Sequence, residues 1–361
     1  MSLRLSRRLH PETPATRRGA AAAAGPRRRL GALLALCCLG GTTLAALLAC
    51  GDAQRGAVSS VTTGPPAAAT APDSPPAARV ALIMKTLTNP FFVEMERGAR
   101  RGQREFGLDL QVRTATQETS IDQQIQLVDS EIRAGARAIV IAPGDSTRLV
   151  PVLKRAQDAG IHIVNIDNRL NATAMAAAGM RPVPFISVDN ERGAFLAVQH
   201  LAARVRQPTQ AAIIEGIRTA DNAQQRRRGA ERALREHAHI SLVATESANW
   251  KIDEAYAVAG ALFKRHPHIG VLFCANDMMA IGAIKFLQET GRTGVLVAGF
   301  DALDEARTAI RAGQMTVTVD QQAAEQGYLG IRTARRLIDG DETVALEHEV
   351  DARLVTGQML K

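Results

Sequence analysis

From Arg79 onward the apolar pattern changes period again and again. Five consecutive apolar residues, 80–84, read as a strand buried on both faces, and Phe92, Met95, Ala99 and Phe106 then recur at helical spacing. Leu110 and Val112 predict a second strand, 121–132 a helix, 138–141 a strand, 149–159 a helix and 161–166 a strand. An alanine-rich connection with Pro182 and Pro184 follows, and the alternation restarts. Strands are expected at 185–188, 211–214, 242–245, 271–274, 295–298 and 315–319, with helices between them that include 192–205, 226–237, 253–263 and 278–287. Repeated βαβ units demand parallel sheets covered on both faces. Open twisted sheets rarely exceed about ten strands, so the expected fold is α/β with two doubly wound lobes of five or six strands each.

In such sheets ligands lie beyond the carboxyl ends of the strands. The residues at those ends are Lys85 and Asn89 to Phe92, Ala142 and Pro143, Asp167 to Arg169, Asp189 and Asn190, Glu215 and Gly216, the stretch from Asn222 to Arg228, Asn249 and Trp250, Asn276 and Asp277, Asp301, and Asp320 and Gln321. Amides, carboxylates and guanidinium groups there combine with aromatic faces. Planar Asp, Asn and Arg groups bind adjacent hydroxyls in pairs, and rings cover C–H faces, so this set suits a neutral, polyhydroxylated molecule. Aromatics sharpen the point, because the chain has one Trp, two Tyr and nine Phe. Phe91, Phe92 and Trp250 stand after strands rather than inside them.

The segment before residue 79 has another character. Arg27 to Arg29 precede an apolar run over 30–49 that ends Leu47-Leu48-Ala49-Cys50-Gly51, which reads as a signal peptide and resembles a bacterial lipobox. Cys50 is then expected to carry lipid as the new N-terminus. A permanent transmembrane helix is the alternative, since about 20 apolar residues can span a bilayer. Residues 51–78, rich in Ala, Ser, Thr, Gly and Pro, cannot bury a core and should form a tether.

Charge and cysteine content narrow the function. The net charge is +8, but the first fifty residues hold eight arginines against Glu12, leaving 36 basic and 35 acidic residues for the rest. A general footprint for nucleic acid is absent from the part that must fold. Three of the four cysteines fall within 1–50, so the body has Cys274 alone and no internal disulfide; at the end of an apolar run it reads as a small buried hydrophobe.

From Arg79 to its last residue the sequence resembles the periplasmic ribose- and allose-binding proteins, the substrate receptors of bacterial sugar ABC transporters. The motifs are Lys85-Thr86-Leu87-Thr88-Asn89-Pro90-Phe91-Phe92, Ile166-Asp167-Asn168-Arg169, Arg226 to Gly229, Cys274-Ala275-Asn276-Asp277 followed by Met279-Ala280-Ile281-Gly282, Gly299-Phe300-Asp301, and Thr316 to Gln321. The resemblance implies sugar contacts at Asn89, Phe91, Phe92, Asp167, Arg226, Trp250, Asn276, Asp301 and Gln321. It adds Lys85, a lysine in the allose-binding relatives, and Asn168, where ribose binders carry arginine. Ala142 also agrees with the allose type, so an aldohexose-like sugar is expected rather than ribose.

The family fold implies a three-crossing hinge, with lobes at 79–188 plus 322–351 and 189–321 plus 352–361. Sugar between the lobes would favour the closed form, which a permease would recognise. A monomer outside the cytoplasm, held to the membrane by lipid, is the expected state.

Blander readings compete at several positions. Asp167, Asn276 and Asp301 could each be a helix cap. Arg227 reads as a solvated residue while Arg226 should turn inward. The pairs His237 with His239 and His266 with His268 lack further ligands at metal spacing, so no metal and no cofactor is expected. An enzyme lacks support, because no G-x-S-x-G, H-E-x-x-H, P-loop or dinucleotide fingerprint occurs, although Asp167 and Asp301 could in principle serve glycoside hydrolysis. A repressor would need a helix-turn-helix where the signal peptide stands. A sensor subunit delivering sugar occupancy to a membrane receptor stays open.

Overall fold

The computed structural model describes residues 77–361. The expected signal peptide with Cys50, and the tether up to residue 76, lie outside them. The chain enters β1 (Arg79–Met84), whose residues 80–84 have no solvent exposure. Val80, Leu82 and Met84 join one apolar cluster and Ala81 and Ile83 the other, as a strand covered on both faces requires.

Helix α1 (Pro90–Phe106) follows, then β2 (Asp109–Thr114), α2 (Ile121–Arg133), β3 (Ala138–Ile141) and α3 (Val150–Asp158). After β4 (His162–Ile166) the alanine-rich connection contains a short helix, α4 (Ala172–Ala177), and the chain passes through β5 (Phe185–Ser187). The next run starts with α5 (Asn190–Ala202), β6 (Thr209–Glu215), α6 (Asp221–Arg235) and β7 (Ile240–Ser247). It continues through α7 (Ile252–Arg265), β8 (Ile269–Cys274), α8 (Asp277–Glu289), β9 (Leu296–Ala298), α9 (Asp304–Arg311) and β10 (Val317–Asp320). Last come α10 (Ala323–Ile338), β11 (Glu347–Glu349) and β12 (Arg353–Thr356).

The strands form two six-stranded sheets, ordered β11-β5-β4-β3-β1-β2 and β12-β10-β9-β8-β6-β7. We call each sheet with its helices a lobe. All pairs are parallel except β10 with β12, which is antiparallel and departs from the all-parallel expectation. In each sheet the strand order reverses direction beside β1 or β6, which makes the switch-point crevice where ligands collect. The carboxyl ends of the two sheets meet, because the Ser146 N–H beyond β3 donates to Thr219 O beyond β6 at 3.2 Å.

Helix α10 returns to the first lobe and packs along α1. The approach is so close that a Cβ on Gly327 would stand 2.0 Å from the Met95 carbonyl oxygen. In the second lobe Gly229 plays the equivalent part, with its would-be Cβ 2.0 Å from Glu191 O at the start of α5. Arg226 lies one turn before Gly229 on α6, so the contact that requires glycine also turns Arg226 inward.

Candidate functional site

In the first lobe the site grows from the ends of β1, β2 and β4. Lys85 follows β1 directly and is 3% exposed; its Nζ stands 2.8 Å from Asp167 Oδ2, 4.0 Å from Glu118 Oε2 and 5.5 Å from the centre of the Phe92 ring. A buried ammonium is tolerable only because two carboxylates face it. Asn89 caps α1, its Oδ1 accepting from the Phe91 N–H at 3.0 Å, while its Nδ2 donates to Glu118 Oε1 at 3.0 Å. Pro90 takes the first helical position, where its missing N–H costs nothing. The cap therefore fixes the first turn of α1, from which Phe91 and Phe92 meet edge to face with centres 5.1 Å apart.

The second lobe contributes an arginine held from three sides. Arg226 donates from Nε to Asn190 Oδ1 at 2.8 Å, from Nη1 to Ala275 O at 2.8 Å and from Nη2 to Gln321 Oε1 at 3.2 Å. Its guanidinium lies 3.8 Å from the centre of Phe300 and 5.6 Å from that of Trp250, with Asp301 Oδ1 at 3.7 Å from Nη1. Gln321 Nε2 donates to Asp301 Oδ1 at 2.6 Å and completes the ring of contacts. Asn276 is a helix cap after all, accepting from Met279 N at 2.9 Å, and its Nδ2 also donates to Trp250 O at 3.4 Å. Cap and site are here the same residue.

Backbone strain collects at these positions. Asp167, Trp250 and Asp301 have φ of 63°, 68° and 125°, and Asn249 and Ala302 beside them are also positive. Asp tolerates the left-handed region through local hydrogen bonds, but tryptophan does not, and such conformers persist only where the surroundings enforce them.

Ten of the eleven contacts expected from the sequence line one narrow cavity. Lys85, Asn89, Phe91, Phe92 and Asp167 come from the first lobe; Arg226, Trp250, Asn276, Asp301 and Gln321 reach it from the other side. The exception is Asn168. It is fully buried, and its amide is spent on Pro143 O at 3.0 Å, Ser146 Oγ at 3.3 Å and, as acceptor, the Asn222 N–H at 3.1 Å. It stands behind the wall, not in it.

Two further residues line it: Glu118, which was missed in the sequence, and Asn222, which was named among the strand-end residues but not among the expected contacts. Glu118 follows β2, and the strand-end rule applied there would have found it. Asn222 belongs to the first turn of α6, which begins five residues before the apolar pattern signals a helix. Two larger grooves lie open beside the cavity, but their polar lining is mostly solvated.

Burial dominates the electrostatics. It raises the Glu118 carboxyl against the pull of Lys85, and raises Asp301 well above the usual carboxylate range against the pull of Arg226. Burial likewise lowers Arg226, with Asp301 and Asp167 as its chief counterweights. Asp277, just outside the cavity, is pushed up to about 6 by burial despite accepting from Thr318 Oγ1 at 2.7 Å and Leu303 N at 2.9 Å. Its bonds hold the 299–303 loop that presents Asp301. Buried polar atoms without a protein partner include Trp250 Nε1 and Asn222 Oδ1, both on lining residues. A buried lining of this kind offers donors, acceptors and aromatic faces.

Among the described residues no group of three or more His, Cys, Asp and Glu side chains stands where it could hold a metal ion. His237 Nε2 instead pairs with Gln199 Oε1 at 2.7 Å. The Cys274 thiol is fully buried and raised by that burial, which leaves it unreactive.

The family profile described as periplasmic binding protein domain matches residues 80–342. The chain belongs to the periplasmic binding proteins. A relative from Pseudomonas aeruginosa named D-ribose/D-allose-binding protein is 40% identical over 287 residues, covering 79% of this chain and 88% of its own length. The D-allose-binding periplasmic protein of Escherichia coli is 33% identical over 284 residues, covering 77% and 90%. Among solved structures, an ABC transporter periplasmic solute binding protein from Actinobacillus succinogenes with bound D-allose superposes with a TM-score of 0.74 at 35% identity, covering 78% of this chain and 99% of that one. The relatives are substrate-binding transport proteins, and this periplasmic binding protein is not an enzyme. Its two sheets flanked by helices are the type I fold of that family.

Proposed function

We propose that this periplasmic binding protein captures a monosaccharide between its two lobes and presents it to an ABC permease. The observation that carries the reading is the pocket of buried polar side chains that both lobes line, with Lys85 and Asp167 on one side and Arg226, Asn276 and Asp301 on the other. Convergent buried polar groups beside aromatic rings are the lining that a sugar ring would need. Carboxylate, amide and guanidinium groups would share its hydroxyls, and Phe91, Phe92 and Trp250 would cover its faces.

The ligand proposed is an aldohexose-like sugar rather than ribose. Lys85, held between Asp167 and Glu118, supports this reading, as does the name of the D-allose-binding relative, while the D-ribose/D-allose-binding name covers both sugars. The proposed lobes are 79–188 plus 322–351 and 189–321 plus 352–361, in keeping with β5 and β11 belonging to one sheet and β10 and β12 to the other. Release from the sugar would open them. Lipidation at Cys50 and a flexible tether over 51–78 complete the proposal of a monomer anchored outside the cytoplasm.

A thermal-shift screen of the folded body against pentoses, hexoses and polyols tests the assignment. A ligand at 100 times its dissociation constant should stabilise by about 2.7 kcal/mol. No shift with any sugar, together with flat calorimetry, would overturn it.

A further inference from the structure

Helix α6 begins without a capping side chain of its own. Its cap position is Ala220, which has the extended backbone of a cap (φ −90°, ψ 127°) but no oxygen to offer. The first N–H groups of any helix lack an intrahelical acceptor, and buried ones must find another. Here the acceptors come from the opposite lobe. The Asp221 N–H donates to Ser146 Oγ at 3.0 Å and the Asn222 N–H to Asn168 Oδ1 at 3.1 Å.

Ser146 and Asn168 lie beyond β3 and β4, and each is prepared for the task. Asn168 Nδ2 donates to Pro143 O and to Ser146 Oγ, which turns its Oδ1 outward toward α6. Ser146 adds its own N–H to Thr219 O. The joint also separates two spaces. Asp167 and Asn222 line the cavity, whereas Arg169 and Asp221, close to them in the chain, line the groove outside it. The Asn168–Asn222 bond is the partition between them.

We propose that Ser146 and Asn168 form a cap for α6 in trans, complete only when the lobes are closed. They are positioning residues that set the balance of open and closed forms without touching the ligand. Arg226 lies on the same helix, so closing the lobes orders the first turn of the element that carries the deepest charged group of the cavity. Lobe opening exposes the Asp221 and Asn222 amides to water, because Ala220 supplies nothing in exchange. The inference rests on the reading of a sugar held between closing lobes, and its consequence is that the clasp scales affinity for every ligand by one factor.

The test uses Ser146→Ala, Asn168→Ala and Ala220→Ser in the folded body with its wild-type lobes. Sugar-free small-angle scattering reads the closed population, hydrogen exchange reads the Asp221 and Asn222 amides, and calorimetry reads a sugar panel. Ser146→Ala should lower the closed population, speed exchange at Asp221 and weaken all bound sugars by the same factor, about three- to tenfold. Ala220→Ser gives α6 a cap in both states, so Ser146→Ala should cost less in that background. Unchanged scattering and exchange in Ser146→Ala would overturn the clasp, and a changed ranking of sugars would make Ser146 a ligand contact instead. Asn168→Ala also frees Pro143 O and serves as a second check. Should the wild type bind no sugar, the functional reading falls, while scattering and exchange still decide the clasp.

Discussion

The indole of Trp250 fills the space where a side chain on Gly216 would stand. A Cβ at residue 216 would fall 2.1 Å from Trp250 Cζ2, so the glycine after β6 is what lets the only tryptophan of the chain lie at the cavity wall. Gly216→Ala should therefore behave as a displaced Trp250. Calorimetry should show sugar affinity reduced by roughly tenfold, and Trp250→Ala by roughly thirtyfold, since buried aromatic anchors cost about 2 kcal/mol or more on truncation. Tryptophan emission of the wild type should change on adding the right sugar. Flat emission with normal binding by both variants would remove Trp250 from the site.

Lys85 and Asp167 are predicted to act as a pair. Asp167→Ala leaves the ammonium buried beside Glu118 alone, so it should lose both binding, by tenfold or more, and thermal stability. Adding Lys85→Met to Asp167→Ala should restore melting temperature without restoring binding. Recovery of both, or of neither, would contradict the assignment of the pair to the ligand.

Asp277 should leave a mark on the pH dependence of stability. Its carboxyl is raised from 3.8 to about 6 in the folded protein, so the native state holds this proton more tightly than the unfolded chain does. The group's contribution is therefore full below about pH 4, falls as pH rises to about 6, and is flat above. Asp277→Asn cannot titrate. Urea unfolding from pH 4 to 7 should show the wild type losing ground to the variant across that window; a constant difference would mean the carboxyl titrates normally.

The lipid anchor is tested at the terminus itself. Mass spectrometry of membrane-extracted protein should find a diacylglyceryl-modified peptide beginning at Cys50, and Cys50→Ser should shift the protein to the soluble fraction. An intact Met1 terminus would count against it.

Much of this was legible in the sequence because strands buried on both faces advertise themselves. β1, β3 and β8 are continuous apolar runs, and the polar residues after them could be read as one edge. β11 was illegible for the opposite reason: Glu347, His348 and Glu349 are all exposed, and only pairing with β5 makes them a strand. The first turn of α6 was hidden because it is polar and uncapped in sequence, so Asn222, although named at the strand ends, was not carried into the expected contacts, and Asn168 was. A bond from one lobe to the other has no local signal, and Asn168 owes its role to such a bond. Cys274, by contrast, was readable from its flanking residues alone, whereas the inward turn of Arg226 came from the family resemblance.

The path of the chain also bears on how the molecule is made. The strands and helices of the second lobe from α5 to β10 are continuous, whereas the first lobe is divided around them: α10, packed along α1, comes only after β10. A polypeptide that emerges N-terminus first thus presents the nearly complete second lobe while α1 still lacks the partner that covers it. Assembly of the first lobe must bridge more than two hundred residues, between Met95 and Gly327, and such distant pairings are slow. The half that starts first waits longest for its covering helix, and any holding factor that guards this chain during its emergence has the uncovered face of α1 to shield.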